Sequence, residues 1–362
     1  SLLKSVSIAL KAVPSKTTMP ILECILMDAT TNQIKFTTND MELGIETIVE
    51  GTIEEKGKVA LDAKIFYEII RRLPDNDVTI KTDDKYAATI TCEKAKFNIP
   101  GKSGEDFAYL PMIEKDEPLT ISQYTLKEMI RQTIFSIAVN ENNKLMTGEL
   151  FEIKNNCLKV VSLDGHRISI RKMSLKKDYS DRKVVVPGKT LSEVSKILSG
   201  EVDDQVSIYF TKNHILFEFD QTMVVSRLIE GEYFRIDQML SSDYETKLKI
   251  NKKFLDCIDR ATLLVREVDK KPIIINITDD DMELRIDSAM GSMNEEIDIE
   301  KEGKDIMIGF NPKFLIDALR VIDDETVTIY LVNPKAPCFI RDDEENYTYL
   351  ILPVNINQNQ AR

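Results

Sequence analysis

The sequence predicts an α+β protein built from three tandem copies of one domain, each with two helices and antiparallel sheets. The first observation is a pattern that occurs three times: an apolar strand, a helix that opens with a lysine, and a second apolar strand. The three lysines, Lys64, Lys189 and Lys313, are 125 and then 124 residues apart. This period exceeds the roughly 20–50 residues of a solenoid unit and fits a domain of about 100–150 residues. The second observation is that the strands follow one another closely, which favours antiparallel hairpins.

The repeat divides the 362-residue chain into domains at residues 1–117, 118–245 and 246–362. Because residues 1–4 already predict helix, we expect a short strand to precede them. We also expect the polar tail, residues 357–362, to be frayed.

Each domain is predicted to contain a helix, four strands, a second helix and three further strands. Leu3, Val6 and Leu10 have the three- to four-residue spacing of an amphipathic helix. Asn311-Pro312 supplies a capping residue and a proline where a helix starts. Helices are predicted at residues 2–12, 63–73, 125–138, 188–198, 251–265 and 311–322. Strands are predicted at residues 21–28, 34–38, 43–50, 58–61, 78–82, 87–92, 95–99, 150–154, 158–163, 167–173, 183–186, 206–210, 215–219, 223–229, 273–277, 282–286, 293–299, 305–308, 327–331, 338–341 and 347–352.

Composition predicts a cytoplasmic globular protein. The hydrophobic content of 43% suffices for three ordinary cores, and no run approaches the about 20 apolar residues that cross a membrane. The five cysteines occur singly, without a CxxC pair. We therefore expect buried thiols in a reducing cytosol, and neither a disulfide framework nor a metal site.

The net charge of −13 argues against nucleic-acid binding, because phosphate contacts need Lys and Arg. However, the six predicted helices carry fourteen basic and six acidic residues, a net +8, which leaves −21 on the rest of the chain. Two interpretations remain open: ordinary solvated helix faces, or one basic surface that attracts a polyanion. Such a surface has no accompanying aromatic residues, so it would contact phosphate without reading sequence.

No constellation of catalytic or metal-binding residues is recognisable, so we predict no enzyme activity, no metal and no cofactor. His166 has no triad geometry with its sequence neighbours Ser162 and Asp164, and His214 is predicted in a turn. The Gly-Lys pairs lack the upstream glycine of a phosphate loop. The runs of acidic residues lack the spacing of a calcium loop.

Four segments carry a resemblance that spans the whole chain. They are Met19-Pro20 with the following Leu22–Leu26 segment, Asp164-Gly165-His166-Arg167, Gly309-Phe310-Asn311 and Leu352-Pro353-Val354. Together they resemble the bacterial DNA polymerase III beta subunit family, the sliding clamps. The family implies the DNA clamp fold and a head-to-tail homodimer whose six domains form a ring around double-stranded DNA. It also implies sequence-independent contacts that let the ring slide.

The resemblance implies two sets of surface residues. Lys16 stands where relatives usually have arginine. The residues expected to face DNA are Lys16, Lys64, Arg71, Asn140, Lys144 and Lys189. The residues expected at the seam between subunits are Lys96, Phe97, Ile99, Phe107, Leu264, Ile273 and Ile275.

The family also implies a groove between the second and third domains. It binds short peptide motifs of the replicative DNA polymerase, the clamp loader, repair polymerases and mismatch-repair proteins. Apolar residues with a few polar donors and adaptable methionines suit such a pocket. Leu163, Phe234, Gln238 and Asn355-Ile356 depart from what relatives often have there. The expected groove residues are Met146, Leu163, Gly165, His166, Arg167, Ile168, Phe234, Gln238, Met239, Leu350, Leu352, Pro353, Val354, Asn355 and Ile356.

Two other functions remain open. One is a protein-binding scaffold that does not encircle DNA, and salt-sensitive binding to duplex DNA would count against it. The other is an enzyme that acts on a phosphorylated ligand at the Gly-Lys turns. Thermal stabilisation by nucleotides would be a sign of that enzyme, and we expect none.

Overall fold

The structure, a computed structural model, describes residues 1–139 and 142–356, so the tail predicted to be frayed and the predicted DNA-facing Asn140 lie outside it. Within this part the chain forms six α-helices at the six predicted positions, although α1, α3 and α5 are shorter than predicted. None of these helices is long and apolar enough to cross a membrane. The helices are α1 Leu2–Ala9, α2 Ala63–Arg72, α3 Gln123–Arg131, α4 Gly188–Ile197, α5 Phe254–Thr262 and α6 Pro312–Val321.

The described residues also form 25 strands, among which every predicted strand is present with bounds that differ by three residues or fewer. The first nine are β1 Cys24–Asp28, β2 Ile34–Asn39, β3 Leu43–Val49, β4 Lys58–Asp62, β5 Thr79–Thr82, β6 Ala88–Cys92, β7 Ala95–Ile99, β8 Gly101–Lys102 and β9 Leu119–Ser122. The next seven are β10 Gly148–Lys154, β11 Cys157–Leu163, β12 Arg167–Ser174, β13 Arg182–Pro187, β14 Gln205–Phe210, β15 His214–Phe219 and β16 Thr222–Arg227. The last nine are β17 Thr246–Asn251, β18 Ile273–Thr278, β19 Asp281–Ser288, β20 Gly291–Asp298, β21 Glu300–Gly303, β22 Ile306–Phe310, β23 Thr326–Leu331, β24 Cys338–Arg341 and β25 Tyr347–Ile351. The sequence pattern missed β8, β9, β17 and β21, which are short or largely polar.

Local chemistry explains where two of the helices begin. The carboxylate of Asp62 caps α2 by accepting a hydrogen bond from the backbone N–H of Ile65 at 2.9 Å. Asn311 caps α6 in the same way, accepting from the N–H of Lys313 at 3.0 Å, and Pro312 occupies the first turn as predicted. Both caps satisfy N–H groups that have no partner inside the helix.

One compact unit comprises Ser1–Lys127 and Lys189–Leu228. Its main sheet has nine antiparallel strands in the order β8-β4-β1-β2-β3-β16-β15-β14-β9, and a second sheet has the order β5-β6-β7. Strand β3 of the first domain pairs with β16 of the second, so one sheet continues across two repeats. Phe36 of β2 and Phe66 of α2 belong to one buried core cluster, with their ring centroids 5.9 Å apart.

The other unit comprises Glu128–Gly188 and Ile229–Arg362. Its nine-stranded sheet has the order β13-β10-β11-β12-β25-β24-β23-β17-β21, and β12 of the second domain pairs with β25 of the third. A four-stranded sheet has the order β20-β19-β18-β22. The segment after β16 contributes Tyr233 and Ile236 to a buried cluster with residues of β11, β12 and β25.

The threefold repeat is visible in the strand register. The hairpins β2–β3, β11–β12 and β19–β20 pair equivalent residues at a constant shift of 124, which confirms three copies of one domain. The equivalent pairs are Asn39 with Gly44, Leu163 with Ile168, and Asp287 with Ser292.

Candidate functional site

The predicted groove residues that lie on strands form a buried apolar row in the second unit. Leu163 on β11 pairs with Ile168 on β12, and Ile168 pairs with Leu350 on β25. These three side chains are 4%, 5% and 4% exposed. They belong to one buried cluster, so they form the floor of the site and not its contact surface.

Side chains from two other segments pack onto this floor. Met146, just before β10, and Phe234 are half-buried against the same cluster. The rings of Tyr233 and Phe234 meet edge to face with centroids 5.4 Å apart. Met239, which follows the short turn Ile236–Gln238, is 49% exposed. Adaptable apolar side chains left partly exposed beside a packed floor are available to a partner.

The turn between β11 and β12 is held by its own first residue. The carboxylate of Asp164 accepts hydrogen bonds from the backbone N–H groups of His166 at 2.9 Å and Arg167 at 3.1 Å. Gly165 has a φ of +88°, a conformation that favours glycine. His166 is exposed, and its ring stacks on Phe314 of α6 with centroids 5.9 Å apart. The turn therefore presents a fixed imidazole at the surface.

Arg167, which is predicted to line the groove, is buried and held by groups of its own chain. It is 6% exposed, and its guanidinium pairs with Asp164 at 3.1 Å and with Asp317 of α6 at 2.6 Å. It also donates to the carbonyl of Phe135 at 2.8 Å and lies 4.6 Å from the ring centroid of Phe314. A buried cation needs such partners. Arg167 therefore ties α6 to the turn instead of offering donors to a ligand.

The chain after β25 forms one more side of the site. The N–H of Leu352 donates to the carbonyl of His166 at 2.9 Å, and the N–H of Val354 donates to the carbonyl of Gly309 at 2.9 Å. Leu352 is 37% exposed, whereas Ile356 is half-buried. Two backbone hydrogen bonds thus fix this segment between the turn after β11 and strand β22.

The structure brings the predicted groove residues together in one unit, in two layers. Tyr233, Ile236 and Phe314 support the site and were missed. The apolar spacing of Tyr233 and Ile236 was a usable signal, but no local pattern links Phe314 to His166. The buried layer is Leu163, Arg167, Ile168 and Leu350. The exposed or half-buried layer is Met146, Gly165, His166, Phe234, Gln238, Met239, Leu352, Pro353, Val354, Asn355 and Ile356.

The predicted DNA-facing residues within the described ranges are all exposed, and two of them are already paired. The ammonium of Lys189 lies 2.5 Å from the carboxylate of Asp40, whose side chain is 6% exposed. Arg71 lies 2.7 Å from Glu68, an exposed pair that salt screens readily. The exposed candidates are Lys16, Lys64, Arg71, Lys144 and Lys189.

The helices carry less positive charge than predicted. The six described α-helices contain eleven basic and six acidic residues, a net +5 instead of +8. The difference arises because Lys11, Lys252 and Lys253 lie just outside the helices. The helices are still positive and the rest of the chain negative. A total charge of −13 with +5 on the helices leaves −18 on the other residues.

The predicted seam residues divide into buried and surface groups. Ile273 and Ile275 are 0% and 5% exposed and lie on β18, which pairs with β19 on one side and β22 on the other. Phe107 is 3% exposed. These three residues stabilise the protomer, which corrects their assignment to a surface. The candidates that remain at the surface are Lys96, Phe97, Ile99 and Leu264.

The described side chains offer little to redox or metal chemistry. No group of three or more His, Cys, Asp or Glu residues among them is placed to hold a metal ion. The five cysteines are free thiols. Burial raises the pKa of Cys338 to about 12, so this thiol stays protonated and unreactive.

Known proteins resemble this chain over its whole length. Sequence models of the DNA polymerase III beta subunit match residues 1–111 as the N-terminal domain, 120–234 as the central domain and 237–355 as the C-terminal domain. A beta sliding clamp of Staphylococcus aureus is 34% identical over 357 residues, which cover 95% of this chain and 94% of that protein.

Solved structures give the same result. A crystal structure from Eubacterium rectale, described as a DNA polymerase III beta subunit, is 71% identical with a TM-score of 0.96, covering 98% of this chain and 97% of that one. The DNA polymerase sliding clamp of Bacillus subtilis is 33% identical with a TM-score of 0.95 and the same coverage. The chain therefore belongs to the DNA polymerase III beta subunit family, the bacterial DNA sliding clamps of replication.

Proposed function

We propose that two copies of this chain close head to tail around duplex DNA and tether the replicative polymerase and other partners through the groove. The ring has no catalytic activity of its own and works in the cytoplasm, where bacterial DNA is replicated. The observation that carries the proposal is the sheet pairing between repeats. Strand β3 pairs with β16, and β12 pairs with β25, so a strand equivalent to β3 in one domain binds the last strand of the next domain.

By the same rule, the first and third domains each keep one strand whose outer edge has no partner strand within the chain. Strand β20 is the equivalent of β3 in the third domain, β7 is the equivalent of β16 in the first domain, and each lies at the edge of its sheet. Free edges tend to pair with another chain. If β20 of each copy binds β7 of the other, two heterologous contacts close the assembly.

Light scattering on a sizing column tests the ring. A closed dimer has a mass of 82.6 kDa, twice the chain mass of 41.3 kDa, and should keep it on dilution. The dimer, once loaded, should stay on nicked circular DNA and leave linear DNA from its ends. A stable 41.3 kDa species, or equal retention on both DNAs, would contradict encirclement.

Three lysines support phosphate contact. Lys64, Lys189 and Lys313 are each the second residue of a ten-residue helix, and all are exposed. A cation near a helix N-terminus is unfavourable unless an anion neutralises it. A DNA phosphate is such an anion, whereas Lys189 already has Asp40 beside it.

We therefore expect Lys64→Ala to weaken DNA association more than Lys189→Ala. The slope of log affinity against log salt is negative, and loss of one phosphate contact should make it less steep by about 1. Because Asp40 competes with phosphate for Lys189, the Lys189→Ala substitution should change the slope by about half as much or less. Binding of a labelled duplex at four salt concentrations measures both slopes, and equal slopes for the two variants would contradict the ranking.

The groove is tested by a charge on its exposed methionine. Met239→Asp should weaken binding of a labelled peptide that contains Gln-Leu-Ser-Leu-Phe by at least about tenfold, since a carboxylate would be desolvated against apolar groups. The melting temperature should not change, because Met239 is 49% exposed. Met112→Asp is the matched control, since Met112 is fully exposed and lies outside the groove. Unchanged affinity of the Met239 variant would refute the groove.

A further inference from the structure

Gly309 occupies a repeat position at which the other two domains have side chains. Strand β22 pairs with β18 as β13 pairs with β10 and β4 pairs with β1. Ala60 and Val185, the equivalents of Gly309, are buried at 0% and 3% exposure. The equivalent pairs are Leu26 with Ala60, Leu150 with Val185, and Ile274 with Gly309.

The chain returns to this position after the last strand of every domain. Lys102 pairs with Ala60 in the first domain, and in the second the N–H of Ile229 donates to the carbonyl of Val185 at 3.0 Å. In the third domain the N–H of Val354 donates to the carbonyl of Gly309 at 2.9 Å. In the third domain this returning segment is itself one side of the groove, whereas in the second domain Ile229 packs on the groove floor and the chain continues to Phe234.

The returning segment lies directly over the space where a side chain of Gly309 would be. A Cβ atom at Gly309 would be 3.1 Å from Cγ1 of Ile356 and 3.3 Å from Cγ2 of Val354. Such contacts are tighter than ordinary van der Waals packing, so the side chains of Val354 and Ile356 would have to shift by a few tenths of an ångström. Gly309 is not among the glycines with positive φ, so the backbone conformation does not require glycine here. What glycine provides is room for the close approach of residues 354–356.

We propose that Gly309 is a positioning residue for the peptide site. The absent side chain lets Val354 and Ile356 lie against β22, and this contact sets the position of the adjoining Leu352 and Pro353 at the groove. The inference rests on the proposed groove, because it concerns how one of its sides is held. Strand β22 does not itself enter the groove, but through Gly309 it would influence the affinity for a peptide.

Two substitutions and a matched control test the inference. Gly309→Ala should weaken binding of the labelled Gln-Leu-Ser-Leu-Phe peptide about three- to tenfold, and Gly309→Val should weaken it further, as expected for overpacking of a well-fitted contact. Gly57→Ala is the control, since a Cβ there would meet no atom within 4 Å. The dimer mass should be unchanged in all three variants.

A second-site change separates positioning from general destabilisation. Ile356→Ala removes the atom nearest to the new Cβ. If Gly309 acts through this segment, Gly309→Ala should weaken peptide binding less in the Ile356→Ala background than in the wild type. Additive effects in this double-mutant cycle would point to a merely structural role and would overturn the proposal.

The outcomes distinguish the inference from the function on which it rests. A wild-type protein that does not bind the peptide refutes the groove itself. A wild type that binds, together with a Gly309→Ala variant of equal affinity, refutes the positioning role alone. If Gly309→Val fails to fold, the milder alanine variant and the double-mutant cycle still decide.

Discussion

Replacing Glu149 by isoleucine is expected to raise the melting temperature of the protein, and the gain should grow between about pH 5 and pH 8. Glu149 is the second residue of strand β10 and is 0% exposed. Neither oxygen of its carboxyl group has a hydrogen-bond partner among the described residues. Burying a polar group without a partner is unfavourable, and burying its charged form is more so.

The other two repeats show what this position ordinarily holds. Strand register makes Ile25 and Ile273 the equivalents of Glu149, since Leu26, Leu150 and Ile274 are equivalent neighbours. Both isoleucines are 0–1% exposed. Isoleucine therefore fits the same place in the same fold without an unsatisfied polar group.

The surroundings of Glu149 favour its neutral form. Burial raises the pKa of Glu149 to about 8, an effect that the nearby Thr133 offsets only in part. The hydroxyl of Thr133 donates its proton to the carbonyl of Met129 at 2.7 Å. Tyr233 is the titratable neighbour, and its pKa is itself raised by burial and by Glu149. Across the sheet, Glu149 faces the apolar Val186 of β13.

The sign of the pH dependence follows from these values. Below about pH 4.5 the carboxyl group is protonated in both the folded and unfolded chain, so it adds no pH dependence. Between about 4.5 and 8 only the unfolded chain releases the proton, and the free energy of unfolding falls as pH rises. The free energy of unfolding has fallen by about 3 kcal/mol at pH 7. It falls further up to about pH 8 and is then constant.

Thermal melts at pH 5, 6, 7, 8 and 9 and fixed protein concentration measure this effect. Glu149→Ile should be more stable than wild type by an amount that rises to pH 8 and then levels off. Glu149→Gln should remove the same pH dependence without the apolar gain. Glu152→Gln on the same strand is the control, because Glu152 is only half-buried and pairs with Lys159 at 3.1 Å. A stability difference that does not vary with pH would contradict the buried neutral acid.

Internal repeats made most of the fold predictable from the sequence. Apolar spacing, together with the Asn311 cap of α6, locates the six described helices because both are local properties of the chain. The same comparison between repeats would have identified Glu149 as the exception to two isoleucines. The apolar run Ile273–Ile275 was also informative, since consecutive apolar residues on a strand are typical of burial on both faces. The prediction that Ile273 and Ile275 lie at the seam between subunits was therefore avoidable.

Non-local contacts account for the rest. No local pattern indicates that β3 pairs with β16 or β12 with β25, because these strands are separated by more than a hundred residues. The ion pair of Arg167 with Asp317 depends on how α6 packs, which no local pattern around Arg167 indicates. Of the four missed strands, β8 and β21 contain no strongly apolar residue, and β9 and β17 each contain only two, which is a short run for recognising alternation.

Cysteines at Phe97 and Met293 are expected to join two copies covalently at both seams. The equivalent pairs within the chain are Ile45 with Val224 and Ser169 with Tyr349. Shifting each partner by the repeat distances places Met293 of one copy opposite Phe97 of the other. Phe97 is 40% exposed and Met293 half-buried, so both are accessible at their edges.

Strand geometry makes this register decisive. Directly opposed residues on antiparallel strands have Cα atoms about 4.5–5.5 Å apart, within the range that a disulfide spans. Moving one cysteine two residues along the same face, to Glu295, raises the separation to about 8 Å, beyond that range. The double variant Phe97→Cys with Met293→Cys should therefore crosslink on mild oxidation, whereas Phe97→Cys with Glu295→Cys should not.

Denaturing gels read the result directly. The first double variant should run as a covalent dimer, and a ring closed at both seams should stay on circular DNA even in denaturant, where an uncrosslinked dimer dissociates. Each single variant is a control for the native thiols, four of which are buried. Equal crosslinking of both double variants would refute the register. Absence of crosslinking in a protein of 82.6 kDa would place the seam on strands other than β7 and β20, and would leave the exposed edges of both strands unexplained.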